Sequence, residues 1–283
     1  MTKNYINKTL ALVGAAAVMM SLSACTKNVG MIGGADGPTE IVVSGAEKNK
    51  SVSDALGEAV LAYNRGGYLD GECCAEGHLI IDTEKSGDTT NVYAVVSYGE
   101  YGFENGNFVK ISGLGACPVK VTFDKNMQMT DFQMPEDGAG YDTSIREMFG
   151  DRYSMFEAFS KKHDDFGYGA LTEQEEKYAK TYLESIGRED AKIGAYYDFE
   201  QPCLTDLGVD VEVSNALLEK KELADYPMTV GNREKIEDGK RYVYELDYEK
   251  GGENIRFAKY EYGNPEPIEV LTYGAKDGKR IVE

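Results

Sequence analysis

From His78 to Phe132 the hydrophobic pattern has a period of two, and near its middle stands the pair Asn105-Gly106. A period of two sends successive side chains to opposite faces of an extended strand, so the run predicts a sheet with one or both faces covered. Asn-Gly fits a tight hairpin, because both central residues of that turn need positive φ. The pattern predicts strands over 78–81, 91–101, 108–112, 119–123 and 127–132, joined at Ser86-Gly87-Asp88, at Glu104 to Asn107 and at Asp124-Lys125-Asn126. Just before this run, Val52, Ala55, Leu56, Ala59, Val60 and Tyr63 fall at helical spacing. Ser51 or Ser53 serves as N-cap and Gly66-Gly67 as the stop.

One helix followed by an antiparallel meander predicts an α+β fold in which the sheet curls around the helix, in the manner of cystatin-like or NTF2-like folds. This unit is expected over 52–140. The pattern then turns helical: 144–149 and 152–162 carry apolar residues at three- and four-residue spacing, and Thr172-Glu173-Gln174-Glu175 reads as a capping box whose helix stops at Gly187. A helical segment is therefore expected over 141–210. A small α+β hairpin unit is expected over 211–283, with Ser214 capping a helix to about Lys221, strands at 240–248 and 255–262 around Gly251-Gly252, and two more at 268–273 and 280–282.

The first 24 residues are of another kind. Lys3 and Lys8 give a positive start with no acidic residue before Cys25, and Leu10 to Leu22 is mostly Ala, Leu, Val and Met. That apolar run is too short for a stable bilayer-spanning helix and has the form of a secretory signal. Leu22-Ser23-Ala24-Cys25 resembles the cleavage and lipidation box of bacterial lipoproteins. The resemblance implies a signal peptide over 1–24, diacylglycerol on the Cys25 thiol, a tether over 25–51, and a body held at the extracytoplasmic face of the cell membrane. Two acyl chains suffice for stable attachment, whereas one is marginal.

The chain is acidic, with 49 Asp and Glu against 30 Lys and Arg, and more so once Lys3 and Lys8 are removed with the signal, so nucleic acid and anionic headgroups are repelled and neither is an expected partner. Hydrophobic residues at 42% and aromatics at 11% are enough for a folded core rather than a disordered chain. An exported chain with four cysteines beyond Cys25 can form disulfides. Cys73 and Cys74 are adjacent on an expected strand and point to opposite faces, so they do not pair with each other. One expectation is a bridge from Cys73 or Cys74 to Cys117; the alternative is that all four stay reduced.

Two further resemblances bear on function. Gly34-Ala35-Asp36-Gly37-Pro38-Thr39 is similar to a motif of the membrane-embedded beta subunit of sodium-pumping decarboxylases, but that subunit needs spanning helices and no window here supplies them. From about Gly30 to Gly187 the chain resembles the extracytoplasmic C-terminal region of clostridial BlaR1-like antirepressor peptidases. The Gly34 to Thr39 tract, Val92 to Tyr98, Pro118 to Phe123 and Ser144 to Phe149 carry the likeness in order. No His-Glu-x-x-His and no Ser-x-x-Lys accompanies them, so the resemblance implies the module without its peptidase.

Chemistry is sparsely marked in the sequence. Two histidines leave few options for a Ser/His/Asp arrangement, and His78 reads as a packed or surface imidazole. No cofactor and no metal site is expected. Alternating tyrosines predict a half-exposed sheet face, with Tyr98, Tyr101, Tyr244 and Tyr260 as candidate binding residues. The reading that follows is a membrane-anchored, non-catalytic binding or sensory accessory module, with an envelope protein or a cell-wall ligand as partner. The alternative is a cell-wall-directed hydrolase using carboxylates among Glu136, Asp137 and Asp142.

Overall fold

The computed structural model describes residues 50–163, 165–199 and 201–282. The expected signal, Cys25, most of the tether and the Gly34 to Thr39 tract lie outside the described residues. The first helix, α1 (Val52–Asn64), is followed by β1 (Cys73–Ser86), β2 (Thr89–Glu104), β3 (Asn107–Phe123) and β4 (Met129–Gln133). Three helices come next: α2 (Tyr141–Phe149), α3 (Tyr153–Lys162) and α4 (Tyr168–Ser185). After the short strand β5 (Ile193–Ala195) come α5 (Val211–Leu218) and a second meander. Its strands are β6 (Gly231–Glu237), β7 (Lys240–Asp247), β8 (Asn254–Glu261), β9 (Pro267–Gly274) and β10 (Arg280–Ile281). Among the described residues the strands join into one large sheet ordered β10-β9-β8-β7-β6-β2-β3-β4, with β1 on β2 and β5 on β3. All pairings between named strands are antiparallel except β5 with β3.

The mixed helix and sheet content expected from the sequence is present, and its organising strand is β2. Its alternation is buried on both sides. Val92, Ala94, Val96 and Tyr98 pack with Ala55, Leu56, Ala59 and Val60 of α1. Tyr93 and Val95 face the other way, against Ile145, Phe149, Phe156 and Leu171 of α2 to α4. The segment over 141–210 thus supplies a layer on the first meander, with α4 packing Ala179, Tyr182 and Leu183 on Tyr101, Phe103 and Phe108. The Asn105-Gly106 hairpin forms as expected, with φ of 51° and 76° at the two residues.

Two starts differ from the expected ones. The helix assigned to a capping box at Thr172 begins at Tyr168, because fully buried Leu171 draws that turn onto the core. The turn leading into it is held by Asp165, whose carboxylate accepts the N–H groups of Gly167 and Gly169 at 2.9 and 3.0 Å. In α5 the cap is Asp210, which accepts the Glu212 N–H at 2.8 Å, and the expected cap Ser214 is buried inside the helix. The strands expected over 108–112 and 119–123 are one, β3; Pro118 is accommodated because β4 pairs only from Lys120 onward.

The two meanders meet at few backbone positions. β1 stops pairing at Tyr101, and beyond it β2 takes Arg233 of β6 opposite Glu104. Side chains complete the join. Arg241 makes two bonds to Glu72, at 2.7 and 2.9 Å, and a third to Glu234 at 2.8 Å. Arg188 holds Glu234 from the other side at 3.0 and 3.2 Å, and its guanidinium lies 3.9 Å from the centre of the Phe103 ring. Glu104 is paired with Arg233. Tyr182 donates to Glu72 at 3.0 Å.

Burial pushes the Glu72 carboxyl above its usual range, with Arg241 opposing that rise. Removing Arg241 leaves Glu72 and Glu234 buried without their shared cation. Arg241→Ala is expected to lower stability by about 3–5 kcal/mol in urea unfolding at pH 7. The deficit should narrow on acidification. A carboxyl whose folded pKa is raised adds stability below its unfolded value and loses it as pH rises through the folded value, so protonation relieves the unpaired charge.

Candidate functional site

The candidate binding tyrosines do not line a half-exposed face. Tyr98, Tyr101 and Tyr244 are 0%, 2% and 4% exposed, and Tyr260 is half-buried. The expected exposed face is corrected by the carboxylates that accompany these rings into the interior. Tyr98 donates to Glu100, Tyr101 to Glu175 at 3.1 Å and Tyr244 to Glu237. Tyr260 bonds Glu245 at 3.2 Å beside Arg256. Burial first, and then Cys74 and Glu100 at Tyr98, Glu175 at Tyr101 and Glu237 at Tyr244, raise these phenols above their ordinary value. These are packed, hydrogen-bonded aromatics.

The cysteines are free, and the register explains why no bridge links Cys73 or Cys74 to Cys117. Cys73 and Cys74 stand opposite Tyr101 and Glu100 on β2, whereas Cys117 stands opposite Val96 from the other side. β2 lies between them, so two strand spacings, about 10 Å, separate the chains that would have to bond. Cys73 and Cys74 do point to opposite faces, one toward α4 and the other toward α1. Burial pushes the Cys73 and Cys117 thiols up to about 12. Of the four, Cys203 alone is exposed.

Two places offer chemistry to a ligand. The first is an open groove of about 510 Å³ between the C-terminal end of α1, β4 and α2. Its floor is an aromatic platform, Tyr63 stacked on Phe132 with ring centres 4.1 Å apart and planes 11° from parallel. Met134 and Met148 flank it, and Glu136 and Glu147 stand on its rim. Of the carboxylates considered for hydrolysis only Glu136 lines the groove; Asp137 and Asp142 are exposed outside its lining.

The second place lies at the other end of α1. Glu76 and His78 share the α1-facing side of β1, two residues apart. The Glu76 carboxylate lies 2.9 Å from His78 Nδ1, and Ser53 Oγ lies 2.6 Å from His78 Nε2. Tyr178 donates to the other Glu76 oxygen at 2.9 Å. Gln174, one helical turn before Tyr178, bonds the His78 N–H and C=O, each at 3.1 Å. The side-chain amide thereby satisfies an edge strand whose backbone would otherwise be unpaired. His163, the second histidine, stacks on Phe159 with ring centres 4.6 Å apart and has no part in either place.

The sequence marked Glu136 but not the groove; it offered Ser53 only as a helix cap and missed Glu76 altogether. Glu76-Gly77-His78 on a strand is a signal of sorts, since residues two apart share a face. Nothing in the spacing brings Ser53 to them. With the geometry described, comparison adds no relative: no family model matches the chain, and no curated protein or solved structure matches it.

Thiol reactivity tests the cysteine placement. Native protein treated with iodoacetamide at pH 8 is expected to alkylate at Cys203 first, with Cys73 and Cys117 modified only on unfolding; peptide mass spectrometry reads each site. Adding a reductant should leave the melting temperature unchanged.

Proposed function

We propose that this chain is a lipid-anchored extracytoplasmic accessory module that binds a ligand in the groove at the C-terminal end of α1. The lipoprotein-like box ending at Cys25 carries the localisation, and the Tyr63–Phe132 platform, with Tyr63 exposed and Phe132 half-buried beside two glutamates, carries the binding role. An aromatic and methionine floor with an acidic rim suits a ligand that presents an apolar group next to a cation, as an amine-bearing peptide or wall fragment does. No helix of the described residues is long and apolar enough to cross a membrane. The order of α1 and β1 to β4 fits a cystatin-like or NTF2-like sheet. The likeness to the module of BlaR1-like proteins favours an accessory part in an envelope-stress or antibiotic response.

A hydrolase working through the groove is the weaker reading. Glycoside hydrolysis needs two carboxylates whose surroundings divide them into acid and base. Glu136 and Glu147 are both exposed, so burial separates neither from water.

Anchoring is tested by fractionation. The intact chain is expected in the membrane pellet and Cys25→Ala in the soluble fraction; retention of the variant in the pellet overturns the anchor. Binding is tested by thermal shift with cationic peptides and wall fragments. A groove ligand should raise the melting temperature of the native chain and lose at least about tenfold in affinity with Tyr63→Ala.

A further inference from the structure

We infer that Ser53, His78 and Glu76 form a nucleophile relay able to cleave a carboxylic ester. The inference goes beyond the groove: Ser53 and Tyr63 are ten residues apart on α1, about 15 Å along the helix, and neither site needs the other.

The relay has the three roles that acyl transfer requires, in the right order. Glu76 is 3% exposed and accepts from Tyr178 at one oxygen, which leaves the other for the His78 Nδ1–H. With the proton on Nδ1, Nε2 presents a lone pair to the Ser53 hydroxyl. The imidazole is held from two directions, by Glu76 through the ring and by Gln174 through the His78 backbone. Ser53 itself is exposed and can meet a substrate.

It also occupies the first turn of α1. There the Asp54 N–H is taken by Ser51 Oγ at 3.0 Å and the Ala55 N–H by the Ser51 carbonyl at 3.0 Å. The amides of Val52 and Ser53 precede them and have no acceptor within the helix, and the positive end of the helix dipole favours an oxyanion formed beside them.

The step balances without an outside oxidant or reductant. Ser53 Oγ bonds to the ester carbonyl carbon as its proton passes to His78 Nε2. The bond to the leaving alcohol breaks and His78 returns the proton to that alcohol. Water then attacks the acyl-serine with His78 again taking a proton, which releases the carboxylic acid and restores Ser53. The surrounding charge selects the acyl group. Asp54 lies next to Ser53, while Glu58 one turn on is paired with Lys50, so Asp54 supplies the charge that disfavours an anionic ester relative to a neutral or amine-bearing one.

The test uses the purified full-length chain with a fluorophosphonate probe and p-nitrophenyl acetate. The probe is expected on Ser53, located by peptide mass spectrometry in the unaltered protein, so the result does not depend on any variant folding. Ser53→Ala should abolish the adduct and lower ester turnover by at least about 100-fold at an unchanged melting temperature, and His78→Gln should slow labelling comparably. Glu76→Gln, acting through His78, should lower kcat with KM nearly constant. If the adduct is absent from Ser53, or ester turnover is the same in Ser53→Ala, the contact only docks α1 on β1 and the inference is overturned. Loss of groove binding in Tyr63→Ala leaves this result unmoved, which keeps the two readings separable.

Discussion

β2 has no face that meets water, and the architecture follows from that. A strand apolar on both sides must be covered twice, so α1 lies on one face and α2 to α4 on the other. Its length adds a second demand. Residues 102–104 run past the end of β1, and the edge exposed there is taken by β6, which brings in the second meander. Polar residues on the same strand cannot reach water either. Glu100 and Glu104, 3% and 5% exposed, are met by the Tyr98 hydroxyl and the Gly71 N–H in the first case and by Arg233 in the second.

Each buried carboxylate here comes with a donor brought from elsewhere in the chain. The donors for Glu72, Glu175 and Glu234 are Arg241, Lys110 and Arg188, which stand far from their partners in sequence. Such pairs contribute little net stability, because desolvation offsets most of the attraction, but a wrong register leaves a bare charge inside. The network therefore acts on specificity more than on strength. It fixes how the meanders meet at a seam where main-chain pairing is short.

Much of the fold could be read from the sequence and much of the site could not, for one physical reason. Periodicity reports burial within an element, and α1, the Asn105-Gly106 hairpin, β7 and β8 are local patterns of that kind. β6, Gly231–Glu237, was not legible because its sequence, Gly-Asn-Arg-Glu-Lys-Ile-Glu, is charged. Its glutamate and arginine at 234 and 233 face cations and anions of the other half instead of an apolar layer. The alternating tyrosines were legible as strand residues but not as interior ones, since the carboxylates that make the burial of Tyr101 and Tyr244 tolerable sit on other elements, and Glu100, which serves Tyr98 from the same strand, reads in the sequence as a solvent-facing charge. Ser53 and His78 meet only because α1 crosses β1, a fact of packing that no spacing records.

Gly57 shows how closely that crossing is set. It lies one turn after Ser53 on the same face of α1, and a Cβ added there would stand 2.6 Å from Glu76 Oε1. Glycine within a helix costs about 0.5–1 kcal/mol relative to alanine, so local propensity alone favours a larger residue. The helix instead lies low enough over β1 for the Glu76 carboxylate to fit beneath residue 57 while reaching Tyr178 and His78. An ordinary helix–sheet contact would put an apolar side chain at that point. A carboxylate held in this place, between a phenol and an imidazole and under a residue without a side chain, orients the ring toward Ser53 more than it adds to packing.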